Sequence, residues 1–200
     1  TLMELVRAYS GLARGGTVIP LNFIKELRDD KGNKIYFPFK NTERRIFSPE
    51  TSFILTEIMS DNKARVPAFG RENPLNLPFP CASKTGTSRG FRDNWTIGYT
   101  PSFTVGVWAG NFNADPMEDV SGITGTGPIF RDIMYLLNKE YPDRERNFTV
   151  PEQIISLYIC PSSGDIPGPY CPGRVKEYFV KGTVPDRVCK VHRMIKIDRR

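Results

Sequence analysis

The amino-acid sequence predicts an α+β fold, an antiparallel sheet covered by helices, and three observations carry that expectation. Two apolar runs, 94–100 and 103–110, meet at Thr100-Pro101-Ser102, a connection short enough for an antiparallel turn. Within the second, Phe103-Thr104-Val105-Gly106-Val107-Trp108 alternates with the two-residue period of a half-buried strand. Helical patterns of apolar residues stand on either side in the sequence, before residue 14 and after residue 128.

The elements follow in order. Residues 1–14 place Leu2, Leu5, Val6, Tyr9, Leu12 and Ala13 on one helical face, and Gly15-Gly16 stops that helix. Residues 21–27 and 34–37 flank Asp29-Asp30-Lys31-Gly32-Asn33, the pattern of a β-hairpin with a glycine-containing loop. A second helix starts at Ser48-Pro49-Glu50, where serine caps, proline suits the first helical position and glutamate suits the positive end. Phe53, Ile54, Ile58 and Met59 supply its apolar side, and it ends near Asp61-Asn62. Four prolines mark 63–80 as a loop. Three strands are expected at 82–88, 94–100 and 103–110. A glycine-rich stretch, 121–127, leads to a third helix opened by Pro128 and lined by Ile129, Phe130, Ile133, Met134 and Leu137. From about residue 148 the chain becomes rich in Pro, Gly and Cys, with strand-like pieces at 154–159 and 177–180. Two regions are therefore expected, 1–147 and 148–200.

Composition narrows the function classes. With 39% hydrophobic and 25% charged residues the chain is not disordered by composition. Its net charge of +6 comes with no nucleic-acid-binding signature, so nucleic acid is not an expected partner. A solvated basic face is the plain reading of the excess at 190–200; attraction to an anionic polymer or membrane surface is the functional one. No apolar run has the length of a membrane span. The start, Thr1-Leu2-Met3-Glu4-Leu5, falls inside an amphipathic pattern and gives the expectation of a piece of a longer chain. His192 is the single histidine. A Ser-His-Asp or Cys-His site needs an imidazole beside its nucleophile, so chemistry in the body of this chain must use other groups.

The segment that carries chemistry is Ala82-Ser83-Lys84-Thr85-Gly86-Thr87-Ser88. A lysine on a strand facing a cleft holds a positive charge near a substrate carboxylate. The hydroxyls of Thr85 and Thr87 can donate to the same group. Gly86 lets a peptide lie against the strand and pair with its backbone. A backbone N–H of this strand can point at a developing oxyanion. A bare Lys-Thr-Gly also arises by chance at exposed strand ends.

The context makes it more specific. Lys-Thr-Gly is one of three motifs of penicillin-binding proteins and class A β-lactamases. Lys84-Thr85-Gly86-Thr87-Ser88, then Phe91-Arg92-Asp93-Asn94-Trp95-Thr96-Ile97-Gly98-Tyr99, then Val105-Gly106-Val107-Trp108-Ala109-Gly110-Asn111 closely resemble bifunctional class A penicillin-binding proteins, the penicillin-binding protein 1C subgroup most closely. Ala64-Arg65, Phe69-Gly70, Val120-Ser121-Gly122 and Gly127-Pro128 extend the resemblance, which covers roughly 1–145 well and the tail more loosely. Arg7-Ala8-Tyr9 with Gly15-Gly16 resembles the helix after the family's middle motif.

The resemblance implies a β-lactamase-like transpeptidase fold, here incomplete, with a small irregular cysteine-containing tail leading to a further domain. It implies a serine D,D-transpeptidase that cross-links peptidoglycan stem peptides, acting on the outer face of a membrane in which an upstream helix anchors it. An upstream glycosyltransferase domain is also implied. Stem peptides and β-lactams are the implied ligands, and no cofactor is implied. Lys84, Thr85, Gly86 and Thr87 are the implied substrate-binding residues. Lys84 and the Thr87 N–H, half of an oxyanion hole, are the implied catalytic contributions. The family's Ser-x-x-Lys and Ser-x-Asn motifs lie well before Lys-Thr-Gly. Ser60-Asp61-Asn62-Lys63 fits both patterns at once but sits where a helix ends, so it reads as a polar helix terminus. The nucleophile is expected upstream, and this chain alone is expected to be inactive.

Other residues take plainer roles. Ser83 neighbours Lys84, but strand neighbours face opposite ways. Trp95 and Trp108 suit a sheet core, Asp93 and Asp115 suit turns, and Cys81 suits apolar packing. Cys160, Cys171, Cys189 and His192 are separated by ten, seventeen and two residues. Such a set can bind zinc, although its first spacing is wide for a knuckle. In the implied compartment a disulfide among the three tail cysteines, or free thiols, is favoured over a metal, and no metal is expected. Two other functions compete: a β-lactamase-like hydrolase, and a non-catalytic module that binds another envelope protein. Self-association through apolar surface is a further expectation.

Overall fold

The structure, a computed structural model, describes residues 1–38, 42–142, 144–145 and 147–197. Of the segments singled out above, the end of the basic stretch (Asp198, Arg199 and Arg200) lies outside the described residues. The chain forms two compact units, Thr1–Thr149 and Val150–Arg200.

The first unit opens with α1 (Leu2–Ala13). Thr1 and Glu4 form a reciprocal capping box at its start, satisfying N–H groups that the first turn leaves unpaired. Gly11 is its buried residue: a Cβ there would lie 2.6 Å from Val18. The two-residue strands β1 (Thr17–Val18) and β4 (Arg44–Arg45) pair with one another. β2 (Leu27–Arg28) and β3 (Lys34–Ile35) form the expected hairpin, far shorter than its apolar runs suggest. Asp29 holds its loop by accepting the N–H groups of Lys31 and Asn33.

Helix α2 (Pro49–Ser60) begins as the sequence indicates, with Ser48 accepting the Thr51 N–H at 3.1 Å. Its buried face differs from the expected one. Ser52, Phe53 and Thr56 are buried, whereas Ile58 is 66% exposed. The hydroxyls of Ser52 and Thr56 satisfy themselves on the Ser48 and Ser52 carbonyls, so polar residues can occupy the inner side.

Residues 63–69, expected as loop, belong to α3 (Asn62–Phe69). Asp61 caps it by accepting from the Lys63 and Ala64 N–H groups, and Pro67 sits inside it. A single proline in a helix this short removes little of the hydrogen-bond ladder, and Gly70 closes it with φ of 78°.

The central sheet consists of β5 (Ala82–Thr87), β6 (Asp93–Tyr99) and β7 (Thr104–Gly110) in the order β5-β6-β7, all antiparallel. Helices cover both faces. On one, Gly106 faces Val6 and Leu2 of α1, and the Thr56 hydroxyl of α2 meets the Tyr99 hydroxyl at 2.8 Å. On the other lies α4 (Thr126–Glu140), which starts two residues before Pro128. There Phe130 and Met134 pack with Leu75, Leu77, Cys81, Val105 and Val107, and Ile133 and Leu137 border them. Ile129 does not join this face; it is 49% exposed. Phe130 is admitted by Gly98, where a Cβ would stand 2.7 Å from the ring.

The second unit is built on β8 (Ile154–Ile159) and β9 (Val175–Val180), an antiparallel pair. Its apolar core is minimal. Among the described residues of this unit, the buried hydrophobic ones are Ile154, Cys160 and Cys189.

Candidate active site

Lys84, Thr85, Gly86 and Thr87 all lie on β5, the edge strand beside β6. Period-two alternation puts Lys84 and Gly86 on the face of their register partners Ile97 and Trp95, the α1 side. Ser83, Thr85 and Thr87 point to the α4 side. Lys84 is exposed, and its ammonium reaches the Thr85 carbonyl oxygen at 2.5 Å.

The backbone of β5 is polarised by its register. Ser88 N–H donates to the Asp93 carbonyl at 3.0 Å, which makes 88 and 93 a hydrogen-bonded pair. Such pairs alternate along an antiparallel ladder, so residues 82, 84 and 86 also spend their N–H and C=O groups on β6. The corresponding groups of Ser83, Thr85 and Thr87 point the other way, out of the free edge. Two contacts agree with this. Arg65 of α3 donates to the Ser83 carbonyl at 3.0 Å, and Lys84 bonds that of Thr85. The Arg65 guanidinium also bonds Met59 O and Asn62 Oδ1, tying the junction of α2 and α3 to the beginning of the free edge.

Residues 120–127 run over the Thr85–Thr87 side. Gly122 N–H donates to Thr87 Oγ1 at 2.9 Å, and Thr96 Oγ1 donates to the Gly122 carbonyl at 3.1 Å. Asn94 Nδ2 donates to Val120 O at 2.8 Å, while Thr96 and Thr126 share a hydrogen bond of 2.8 Å. Thr96, Asn94 and Thr126 are buried, so these bonds are shielded from water. Only glycine fits at 122: a Cβ would lie 2.8 Å from both Gly86 O and Trp95 O. The sequence resemblance includes Arg65 and Gly122 but gives them no task, and the same holds for Asn94 and Thr96. Their alternation with Trp95 and Ile97 in an apolar strand was the available signal, since two polar residues on one face of a strand need partners.

The other singled-out residues fall into place around this edge. Ser60 Oγ is engaged with the Thr56 and Glu57 carbonyls at the end of α2. Ser83 is buried on the side of the strand away from Lys84. Asp93 is a strand residue, not a turn residue, and accepts the Trp108 indole N–H at 2.9 Å. Asp115 exchanges hydrogen bonds with Asn113 in a loop. Trp95 and Trp108 lean on one another with centroids 6.3 Å apart, half-buried. Burial pushes the Cys81 thiol up to about 12, as expected of a packed apolar residue. A pocket lined by Phe79, Pro80, Thr100, Phe103, Met134 and Tyr141 lies where β5 begins, and Lys84 is not part of it.

In the second unit the tail cysteines form no disulfide and take the other state expected of them. Cys160, Cys171 and Cys189 are free thiols, and they converge with His192. A hydrogen bond from Ser163 and the N–H of His192 pull the Cys189 thiol down to about 5, and Cys189 in turn raises the His192 imidazole.

Both the sequence and the fold match known proteins. Residues 1–135 match the family model described as the penicillin binding protein transpeptidase domain, and residues 150–194 match the penicillin-binding protein 1A C-terminal domain. The chain is 31% identical over 192 residues to penicillin-binding protein 2D of Bacillus subtilis (strain 168), covering 94% of this chain and 27% of that protein. It is 30% identical over 193 residues to penicillin-binding protein 1A of Aquifex aeolicus (strain VF5), covering 94% and 25%. The crystal structure of penicillin-binding protein 1A from Haemophilus influenzae superposes with a TM-score of 0.73 at 19% identity, over 94% of this chain and 33% of that one. The imipenem acyl-enzyme complex of penicillin-binding protein A from M. tuberculosis superposes at 0.51 and 23% identity, over 68% and 30%. This chain therefore spans about a quarter of the length of the curated relatives it matches. The relatives named here carry 1A and 2D labels, so the 1C subgroup stays an expectation. Among the described residues, no helix is long and apolar enough to cross a membrane. On the family match over residues 1–135, the chain belongs to the penicillin-binding protein transpeptidase family.

Proposed function

We propose that this chain is the substrate-side part of a peptidoglycan D,D-transpeptidase. The observation that carries the reading is the free edge of β5, where the N–H of Thr87 points outward beside the ammonium of Lys84. A serine from outside this chain attacks the carbonyl carbon of a D-alanyl-D-alanine stem peptide, and its proton passes to the departing D-alanine amine. The Thr87 N–H donates to the carbonyl oxygen as it gains charge. The amine of a second stem peptide then displaces the serine from the ester, forming the cross-link and returning the proton.

Lys84 and the two threonines stand on opposite faces of the strand and meet one ligand only at its edge. A carboxylate in the plane of the sheet, just outside β5, is where the ammonium of Lys84 and the hydroxyls of Thr85 and Thr87 act together. Thr87 already accepts from Gly122, which leaves its own O–H to donate. Gly86 carries no side chain, so a peptide backbone can approach and pair as an added strand. β-Lactams carry the same carboxylate and an acylating carbonyl, and acylate the same serine.

Ser60 is not that serine in this reading, because its hydroxyl is held by two carbonyls of its own helix. The site works on the extracytoplasmic face, where stem peptides are cross-linked, in a longer protein anchored by a segment outside this chain. The exposed Phe23, Tyr36, Ile58 and Phe112 are surfaces for the remainder of that protein, or for a second copy of the isolated chain. Labelled penicillin tests the reading. The 200-residue chain alone takes up no label, and the chain joined to its upstream region becomes acylated on a serine outside residues 1–200. Label mapped to Ser60 or Ser83 of the isolated chain overturns it.

A further inference from the structure

We propose that Cys160, Cys171, Cys189 and His192 form a structural zinc site that holds the C-terminal unit together. The four ligand atoms lie within 4.8 Å of one another. His192 Nδ1 stands 3.5 Å from Cys160 Sγ and 3.5 Å from Cys189 Sγ. A tetrahedral zinc with Zn–S of about 2.3 Å and Zn–N of about 2.0 Å sets an S···N edge of about 3.5 Å. The two observed edges are those of such a site, whereas a disulfide brings sulfurs to about 2.05 Å and leaves the imidazole without a purpose.

The backbone is arranged to bring the four together from three separate segments. Cys160 follows β8 directly and begins a tight turn: its carbonyl accepts the Gly164 N–H at 2.9 Å, and Gly164 has φ of 75°. Cys171 ends a second turn, with its N–H on the Gly168 carbonyl and its sulfur accepting the Gly168 N–H at 3.3 Å. Cys189 is fixed by its N–H on the Ile166 carbonyl at 2.8 Å, next to the short parallel pairing of Ile166 with Val188. His192 lies three residues on. The Gly168 N–H is an amide donor to one of these sulfurs. Amide donors around thiolates orient them and offset their charge, as outer-shell partners of a metal site do.

Energetics call for such a site. Among its described residues the unit buries Ile154 and two of the cysteines as its hydrophobic core, and a chain of this length seldom folds on so little without a disulfide or a metal. Four protein ligands close the coordination sphere, which is the mark of a structural rather than a catalytic zinc. Three thiolates with one imidazole are a soft N/S set that prefers zinc over magnesium or calcium. Binding releases the thiol protons and leaves the occupied site with one net negative charge, in a segment whose sequence also carries the basic residues Arg187, Lys190 and Arg193. The spacing from Cys160 to Cys171 looked too wide for a knuckle because the loop between them is folded back by its own turns.

The 200-residue chain, produced both in the cytoplasm and by export to an oxidising compartment, tests this by metal analysis and intact mass. The expected result from both sources is about one zinc per chain with three unreactive tail thiols that a chelator exposes. Cobalt replacing the zinc gives intense visible bands of a tetrahedral thiolate site. Cys189→Ser and His192→Ala lose the metal, and His192→Cys keeps it. Should either variant fail to fold, the cobalt spectrum of the unaltered chain decides alone. An exported chain two hydrogens lighter and free of zinc, a metal other than zinc, or a cobalt spectrum of octahedral type overturns the assignment.

Discussion

Thr87 and Gly122 are joined by a hydrogen bond of 2.9 Å, from the Gly122 amide to the threonine hydroxyl, across the face of the sheet that α4 covers. The bond fixes the last residue of β5 from behind while its own N–H looks outward. A loop far along the chain thus sets the rigidity of the proposed substrate edge.

Gly122→Ala tests that dependence. The added methyl meets two carbonyl oxygens at 2.8 Å, and neither can move without disturbing β5 or β6. The expected loss is about 1–3 kcal/mol of stability, read as a lower urea midpoint, and slower acylation of the longer protein by penicillin. Ser121→Ala next to it, at an exposed hydroxyl bonded within its own turn, leaves both nearly unchanged.

Arg65→Ala removes the donor that joins Met59, Asn62 and the Ser83 carbonyl. Hydrogen bonds from a charged donor are each worth about 1.5–3 kcal/mol, so destabilisation of that order is expected in chemical denaturation. Arg65→Lys recovers part of it at most, because an ammonium cannot span three acceptors with a planar fork.

Alkaline pH should unfold the first unit through two buried acids. Burial pushes both the Cys81 thiol and the Tyr99 hydroxyl up to about 12, from ordinary values of 9.0 and 10.0. Between the ordinary and the raised value the unfolded chain releases these protons and the folded one keeps them. Stability is therefore full below about pH 9 and falls as pH rises toward 12. Urea midpoints measured from pH 8 upward should show the decline, and it should be shallower in Cys81→Ala and in Tyr99→Phe. A midpoint indifferent to pH over this range contradicts the burial of both groups.

Much of the sheet was legible because its strands announce themselves by alternation, and 94–100 and 103–110 are separated by a tight Pro-containing turn. Helix starts were legible where chemistry marks them, as at Ser48-Pro49-Glu50. Reading failed where tertiary contacts decide. α3 hides behind Pro67 because its cap, Asp61, also resembles the end of the helix before it. The inner face of α2 is lined by Ser52 and Thr56, whose hydroxyls become apolar in effect once they bond their own helix. Of the candidate site, the motif 84–87 was legible as a pattern of residue types. Which of its N–H groups face outward was not, since that follows from register with β6. Nor does spacing alone bring Cys160, Cys171, Cys189 and His192 together; the turns at Gly164 and Gly168 do so.

The most direct test of the central claim is the acylation rate of the longer protein by a penicillin, with and without the side chain of residue 84. A charge-assisted bond to the drug's carboxylate is worth about 1.5–3 kcal/mol, so Lys84→Ala should slow acylation by about 10–100-fold. The methyl ester of the same drug, which has no carboxylate to bind, should react equally slowly with both proteins. Equal rates for the two proteins with the free acid would contradict the account.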